Sequence, residues 1–244
     1  AMVAARAAII AVSAFTGRPA TTRPKVDPRS RPEYVSSRLR KTSIRSSNLW
    51  RRAWIKRDSL DEYGRIVVAL DPAMTNKPGS DETGIIVAGR GGDQRGYVLA
   101  DDSGKYRPEE WARRAISLYD TFGADCIVAE VNQGGELVEA MIKAEARGRT
   151  IPFKAVHATR GKHVRAEPIA GLYEQGKVRH ADTFVDLENQ MCAFTVDLDR
   201  KDQGYSPDRV DALVWAMTEL FPGMTERASD PARYAIPKKR GWMR

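Results

Sequence analysis

Four carboxylates in this sequence stand where ordinary surface acids do not. Asp71 closes RIVVALD directly after five apolar residues, and Glu130 ends CIVAE in the same way. Asp208 and Asp211 lie in SPDRVDALVWAMTEL, three residues apart, so on a helix they share one face. A carboxylate at the mouth of a buried strand is held rigidly where a cation can compensate its charge. Acids at the carboxyl ends of parallel neighbouring strands converge and repel, and a divalent cation is the usual remedy. Each residue also has a plainer reading: an Asx-turn or cap for Asp71, a salt bridge for Glu130, a helix-dipole acid for Asp208. Asp211 fits that last role less well, because Val210, Leu213 and Val214 surround it. Hard oxygen ligands without Cys or His clusters favour Mg²⁺ or Mn²⁺ over zinc. Two such ions ~4 Å apart can activate a water and stabilise the leaving oxygen in phosphodiester cleavage.

The elements that must position these acids can be read from the pattern. Apolar runs at Ile66–Leu70, Gly84–Ala88 and Gly96–Ala100 are separated by turns too short for a helical crossover, which predicts three antiparallel neighbours. Pro108 suits the first position of a helix carrying Trp111, Ala115, Leu118 and Phe122 on one face, and Gly123 supplies its stop. Strands at Cys126–Val131 and Phe153–Ala158 then alternate with a helix over about 136–147, as parallel crossovers do. A helix over 162–175 contains Pro168, which should kink it or delay its start. A further helix spans about 184–194 with Asp182 or Thr183 as cap. The last begins with Ser206 as N-cap and Pro207 as first residue. The expected fold is therefore α/β, an antiparallel three-strand meander followed by parallel strands.

Composition bounds the rest. At 244 residues and 42% hydrophobic content the chain fits one domain with extensions. Residues 1–57 carry 14 Lys and Arg against 2 acids, whereas the other 187 residues hold 26 against 30. The net charge of +8 thus belongs to one end, not to the body. The expected organisation is a basic segment over 1–48, disordered through its Pro, Ser, Thr and Arg content, a domain over 49–222, and a basic tail over 223–244. Cys126 and Cys192 lack the spacing of a disulfide framework or zinc site, which suits a reducing cytosol. AMVAARAAIIAVSAF lacks a clear signal-peptide cleavage site, and no apolar run approaches the ~20 residues needed to span a bilayer.

RIVVALDPA with SDETGIIVAG, IVAEVNQGGELV, GKHVRAEPIAGLYEQGKVRH and SPDRVDALVWAMTEL, in that order, resemble the nuclease domain of the large terminase subunit of tailed phages and gene-transfer particles. The resemblance runs from about Ser47 to Leu220. It implies a ribonuclease H-like mixed sheet with helices on both faces. It makes Asp71, Glu130 and Asp211 the catalytic, metal-binding acids and Asp208 a fourth ligand or a supporting partner. It sets Lys162 and Arg165 against DNA phosphates. Asp81, in the first hairpin, reads as a turn residue before a ligand. The implied activity is two-metal endodeoxyribonuclease cleavage with Mg²⁺ or Mn²⁺. The implied partners are double-stranded DNA, a terminase small subunit, a portal and a separate ATPase domain, in the host cytoplasm during particle assembly. Such proteins carry an ATPase domain ahead of the nuclease, yet this sequence has no G-x-x-x-x-G-K-[ST] loop. It therefore reads as a separate nuclease domain, a fragment or a broken gene.

Three other readings compete. A Holliday-junction resolvase has acids at equivalent places on the same fold. An actin-like kinase also ends its first strand in Asp, but here the phosphate-holding Gly-Thr turn is missing. A non-catalytic DNA-binding or assembly protein would use the basic N-terminus and the Lys238, Lys239, Arg240 and Trp242 tail.

Overall fold

Side chains along a strand point alternately to opposite faces, and in this protein that alternation divides the core into two layers. The computed structural model describes residues 48–73, 82–131, 135–195 and 206–225. Among them seven strands form one sheet: β1 (Lys56–Arg57), β2 (Arg65–Asp71), β3 (Gly84–Arg90), β4 (Gly96–Asp101), β5 (Cys126–Glu130), β6 (Phe153–Val156) and β7 (Val178–His180), in the order β1-β7-β4-β3-β2-β5-β6. β2, β3 and β4 make the expected antiparallel meander. β5 joins β2 in parallel, β6 joins β5, and β7 joins β4.

Ile66, Val68, Leu70, Ile127 and Ala129 face one layer, closed by α1 (Pro108–Phe122) and α2 (Gly135–Glu145). Val67, Ala69, Cys126 and Val128 face the other, closed by α3 (Lys162–Glu174), α4 (Val185–Ala193) and α5 (Asp208–Leu220). Helices thus cover both faces, which is why β2, β3 and β5 read as unbroken apolar runs rather than alternating ones. α5 lies between its neighbours and is buried almost all round, from Asp208 to Met217. A last short helix, α6 (Pro222–Thr225), runs past the expected domain end at 222.

Several local expectations are met and others are corrected. Pro108 opens α1, and Gly123 ends it in the left-handed conformation at φ 58°. α3 starts at Lys162 without delay and contains Pro168. Ser206 does not cap α5: Pro207 holds the cap position, with no side-chain cap bond. The Ser206 hydroxyl instead accepts from Lys162 Nζ at 3.3 Å. Nor do Asp182 or Thr183 cap α4, whose cap position is Phe184. Its N–H is satisfied from inside the helix by Glu188 Oε1 at 3.2 Å.

Before β1, residues 48–57 form a strap. Asn48 bridges Thr195, Leu49 N donates to Phe194 O at 2.9 Å, and the Trp50 ring meets Phe194 edge-on at 5.5 Å. Arg52 and Arg57 both reach the buried Glu188 of α4, Arg57 at 2.6 Å. The expectations for Asp81, for residues 1–47 and for the tail from 226 lie outside the described residues. No helix among those described is long and apolar enough to cross a membrane.

Candidate metal centre

Parity sets the first two acids. Asp71 follows Val67 and Ala69 on the α5 side of β2, and Glu130 follows Cys126 and Val128 on the same side of β5. Leu70 is in register with Ala129, so the two carboxylates leave adjacent parallel strands at one level. The helix that supplies the other two acids must then cross close to the strand ends. Gly84 permits this: it pairs with Asp71 across β2 and β3, and a Cβ at Gly84 would stand 2.1 Å from the Asp208 carbonyl oxygen. With only hydrogen there, the first turn of α5 rests on the β3 backbone and turns Asp208 and Asp211 toward Asp71. Arg209 holds that turn from the other side, donating to Asp101 at 2.8 Å and to Glu82 at 3.1 Å.

Asp71, Asp208 and Asp211 each offer a carboxylate oxygen within 4.8 Å of the others. Asp208 and Asp211 are 5% and 2% exposed, so water does little to screen the three charges. Burial, followed by the charge of Asp211, raises the Asp71 carboxyl well above the ordinary carboxylate range, with Lys162 partly opposing. Glu130 stands beside this trio rather than in it. Its Oε2 accepts from Trp215 Nε1 at 2.6 Å and faces Arg165 Nη2 at 3.5 Å.

Lys162 and Arg165 extend from the first turn of α3 into this group. Lys162 Nζ donates to Asp211 and stands 3.9 Å from Asp208. Burial alone would lower the Lys162 pKa, but Asp211 and Asp71 outweigh it and the net shift is upward. Arg165 donates to Asp211 Oδ1 at 3.0 Å, lies 4.7 Å over the Trp215 ring, and gives its Nη1 to the Arg160 carbonyl at 3.2 Å. Both cations therefore direct their charge to carboxylates. Trp215 escaped the sequence reading, although it lies four residues after Asp211, one helical turn along the same face. Gly84 escaped it too, since only the approach of α5 gives that glycine a purpose.

The donor set fits a hard divalent cation: three carboxylates from two segments remote in the chain, without sulfur or imidazole, gathered around a lysine ammonium that already answers their charge.

A mixed sheet of this order, with acids at the ends of β2 and β5 and in the first turn of the covering helix, defines a ribonuclease H-like domain. Residues 68–220 match the family model described as the terminase RNaseH-like domain, and the chain belongs to that family. Solved structures agree on the fold. The nuclease domain of the large terminase subunit gp2 of bacterial virus Sf6 is 15% identical over 70% of this chain and 98% of that one, with a TM-score of 0.55. The large terminase nuclease of thermophilic phage G20c is 15% identical over 67% and 86%, at 0.51. A large terminase from another thermophilic bacteriophage is 11% identical over 72% of this chain but 45% of its own, at 0.53. No curated protein matches the chain.

Proposed function

We propose that this chain is the DNA-cutting domain of a phage-type terminase, a two-metal endodeoxyribonuclease using Mg²⁺ or Mn²⁺. The observation that carries the reading is the meeting of Asp71, Asp208 and Asp211 within 4.8 Å at the end of the sheet. Solved relatives described as complexes with manganese, magnesium and calcium support the choice of ions. Asp71, Asp208 and Asp211 would hold the ions, with Glu130 completing the rim. Divalent ions supply Lewis acidity, lowering the pKa of water and stabilising charge on the scissile phosphate. Trp215 and Arg165 keep the Glu130 carboxylate oriented from two directions. Lys162 offsets part of the carboxylates' charge before ions enter. Contacts to phosphates position a protein without reading bases, which fits cutting of low sequence preference. The partners in this reading are double-stranded DNA, a terminase small subunit, a portal and a separate ATPase domain, in the host cytoplasm during particle assembly.

Plasmid nicking in Mn²⁺ tests it. Asp71→Asn, which keeps shape and removes charge, should lose cutting by about a hundredfold or more, on the order of other losses of catalytic charge stabilisation, with its circular dichroism unchanged. Undiminished nicking by Asp71→Asn sinks the assignment. A strong preference for four-way junctions over linear duplex would replace it with a resolvase.

A further inference from the structure

The rim of the metal centre is electrically lopsided. On one side the cation nearest the first turn of α5, Arg209, is already held by Asp101 and Glu82. It opens onto a cleft of about 390 Å³ where the carboxylates of Glu82 and Asp186 outnumber it. On the other side runs KAVHATRGKHVR, residues 154–165, which holds Lys154, Arg160, Lys162 and Arg165, two of the three histidines, and no acid. Lys154 pairs with Glu219 at 2.6 Å, and Lys162 and Arg165 pair with the carboxylates described above. His157, Arg160 and His163 are exposed.

We propose that the connection between β6 and α3 is the ledge on which the DNA backbone lies, with Arg160 and His163 contacting phosphates that flank the one being cut. The proposal rests on the nuclease reading and adds which side of the centre the strand follows. Its physical basis is a mechanical link between ledge and centre. Arg165 binds Asp211 with one guanidinium nitrogen and the Arg160 carbonyl with the other, at 3.0 Å and 3.2 Å. The backbone of Arg160 is thereby fixed relative to the acids, so a phosphate on its side chain keeps a constant offset from the reacting one. A polyanion approaching the acidic cleft would meet Glu82 and Asp186 instead, and like charge at that distance repels it. Among the described residues, the ledge side is the one that lets the strand run past the centre with its own charge neutralised.

The test is binding of the full chain to a short fluorescent duplex without divalent metal, across a salt series, for wild type, Arg160→Ala, Arg160→Glu and Arg113→Ala. Arg113 is an exposed cation on α1, on the opposite face of the sheet, and serves as the control. Loss of one phosphate contact should make the slope of log affinity against log salt shallower by about 1 for Arg160→Ala. Arg160→Glu should weaken binding further, while Arg113→Ala leaves affinity and slope alone. Calorimetric Mn²⁺ affinity of all four should be equal, since none of these residues is a ligand. Wild-type slope and affinity in both Arg160 variants, or an equal loss in Arg113→Ala, overturns the ledge. If plasmid nicking persists in that case, the nuclease reading stands without it. If the wild type neither binds duplex nor nicks plasmid, both fall together.

Discussion

At the scale of single residues, the candidate centre sets three carboxylates against the Lys162 ammonium and the Arg165 guanidinium. Lys162 donates to Asp211, one of the carboxylates that would hold a divalent ion in the proposed reading, so the two would compete for it. Removing the lysine leaves like charges facing one another with little water between them, and a metal ion then relieves more repulsion on binding. Lys162→Ala should therefore bind Mn²⁺ more tightly, by roughly tenfold if one favourable contact is exchanged, as measured by calorimetry. Weaker binding in that variant would mean that the ammonium helps hold the acids in place for the ion. Asp71, Glu130 and Asp211 stand out in the sequence because each ends or interrupts an apolar run, whereas Asp208 equally suits an ordinary acid at a helix start. The pairings of Lys162 and Arg165 were not legible there, since a basic residue at a helix start reads the same whether it faces solvent or a buried carboxylate.

Among the elements, the decisive contact is that of α5 on β3. Gly84→Ala would drive a methyl group into the Asp208 carbonyl, and something must shift. Overpacking of this kind costs about 1–3 kcal/mol, and here the shift also moves Asp208 and Asp211, which would hold the ions in the proposed reading. The variant should melt lower and lose most of its Mn²⁺ affinity. Gly89→Ala, whose methyl would meet the Tyr63 ring at 3.0 Å, offers the comparison: it should lose stability without losing metal. Equal metal affinity in both variants would dismiss Gly84 as a positioning residue. Strands of five to seven residues and helices with flanking Pro or Gly were readable from pattern, as β2, β3, β5 and α1 attest. β1 and β7, of two and three residues, are too short to carry a period, and only their pairing with each other and with β4 makes them strands. The caps of α4 and α5 were misread for a related reason. Ser206 and Thr183 have the right chemistry for caps, but tertiary partners, Lys162 and Arg57, claim their hydroxyls.

For the molecule as a whole, stability depends on a buried polar group outside the candidate metal centre. His180 is fully buried, accepting from the Tyr173 hydroxyl at 2.8 Å and donating to Glu188 at 3.1 Å. Burial, only partly opposed by Glu188, lowers its pKa to about 4. Between the ordinary histidine value and that figure the unfolded chain takes up a proton that the folded chain refuses. Stability should therefore fall as pH drops from about 6.5 to about 4, by roughly 3 kcal/mol from this one group. The Glu188 carboxyl is raised by burial but lowered more by hydrogen bonds from Arg57 and His180, so its contribution is lost on further acidification, in the same direction. Urea unfolding at a series of pH values should show the slope, and His180→Gln should flatten it between about pH 6.5 and about 4. An unchanged slope in that variant would assign the acid sensitivity elsewhere.

The strap that leads into β1 has a consequence for how the domain bears load. It joins the sheet at the edge strand, four strand spacings or about 19 Å from β2. Tension applied through the residues that precede Asn48 is taken up by the β1–β7 pairing, by the Trp50 ring in its socket and by the two arginines gripping Glu188. Those fastenings are the first to bear such a pull, so the geometry of the acids stands behind several contacts that would have to yield before it.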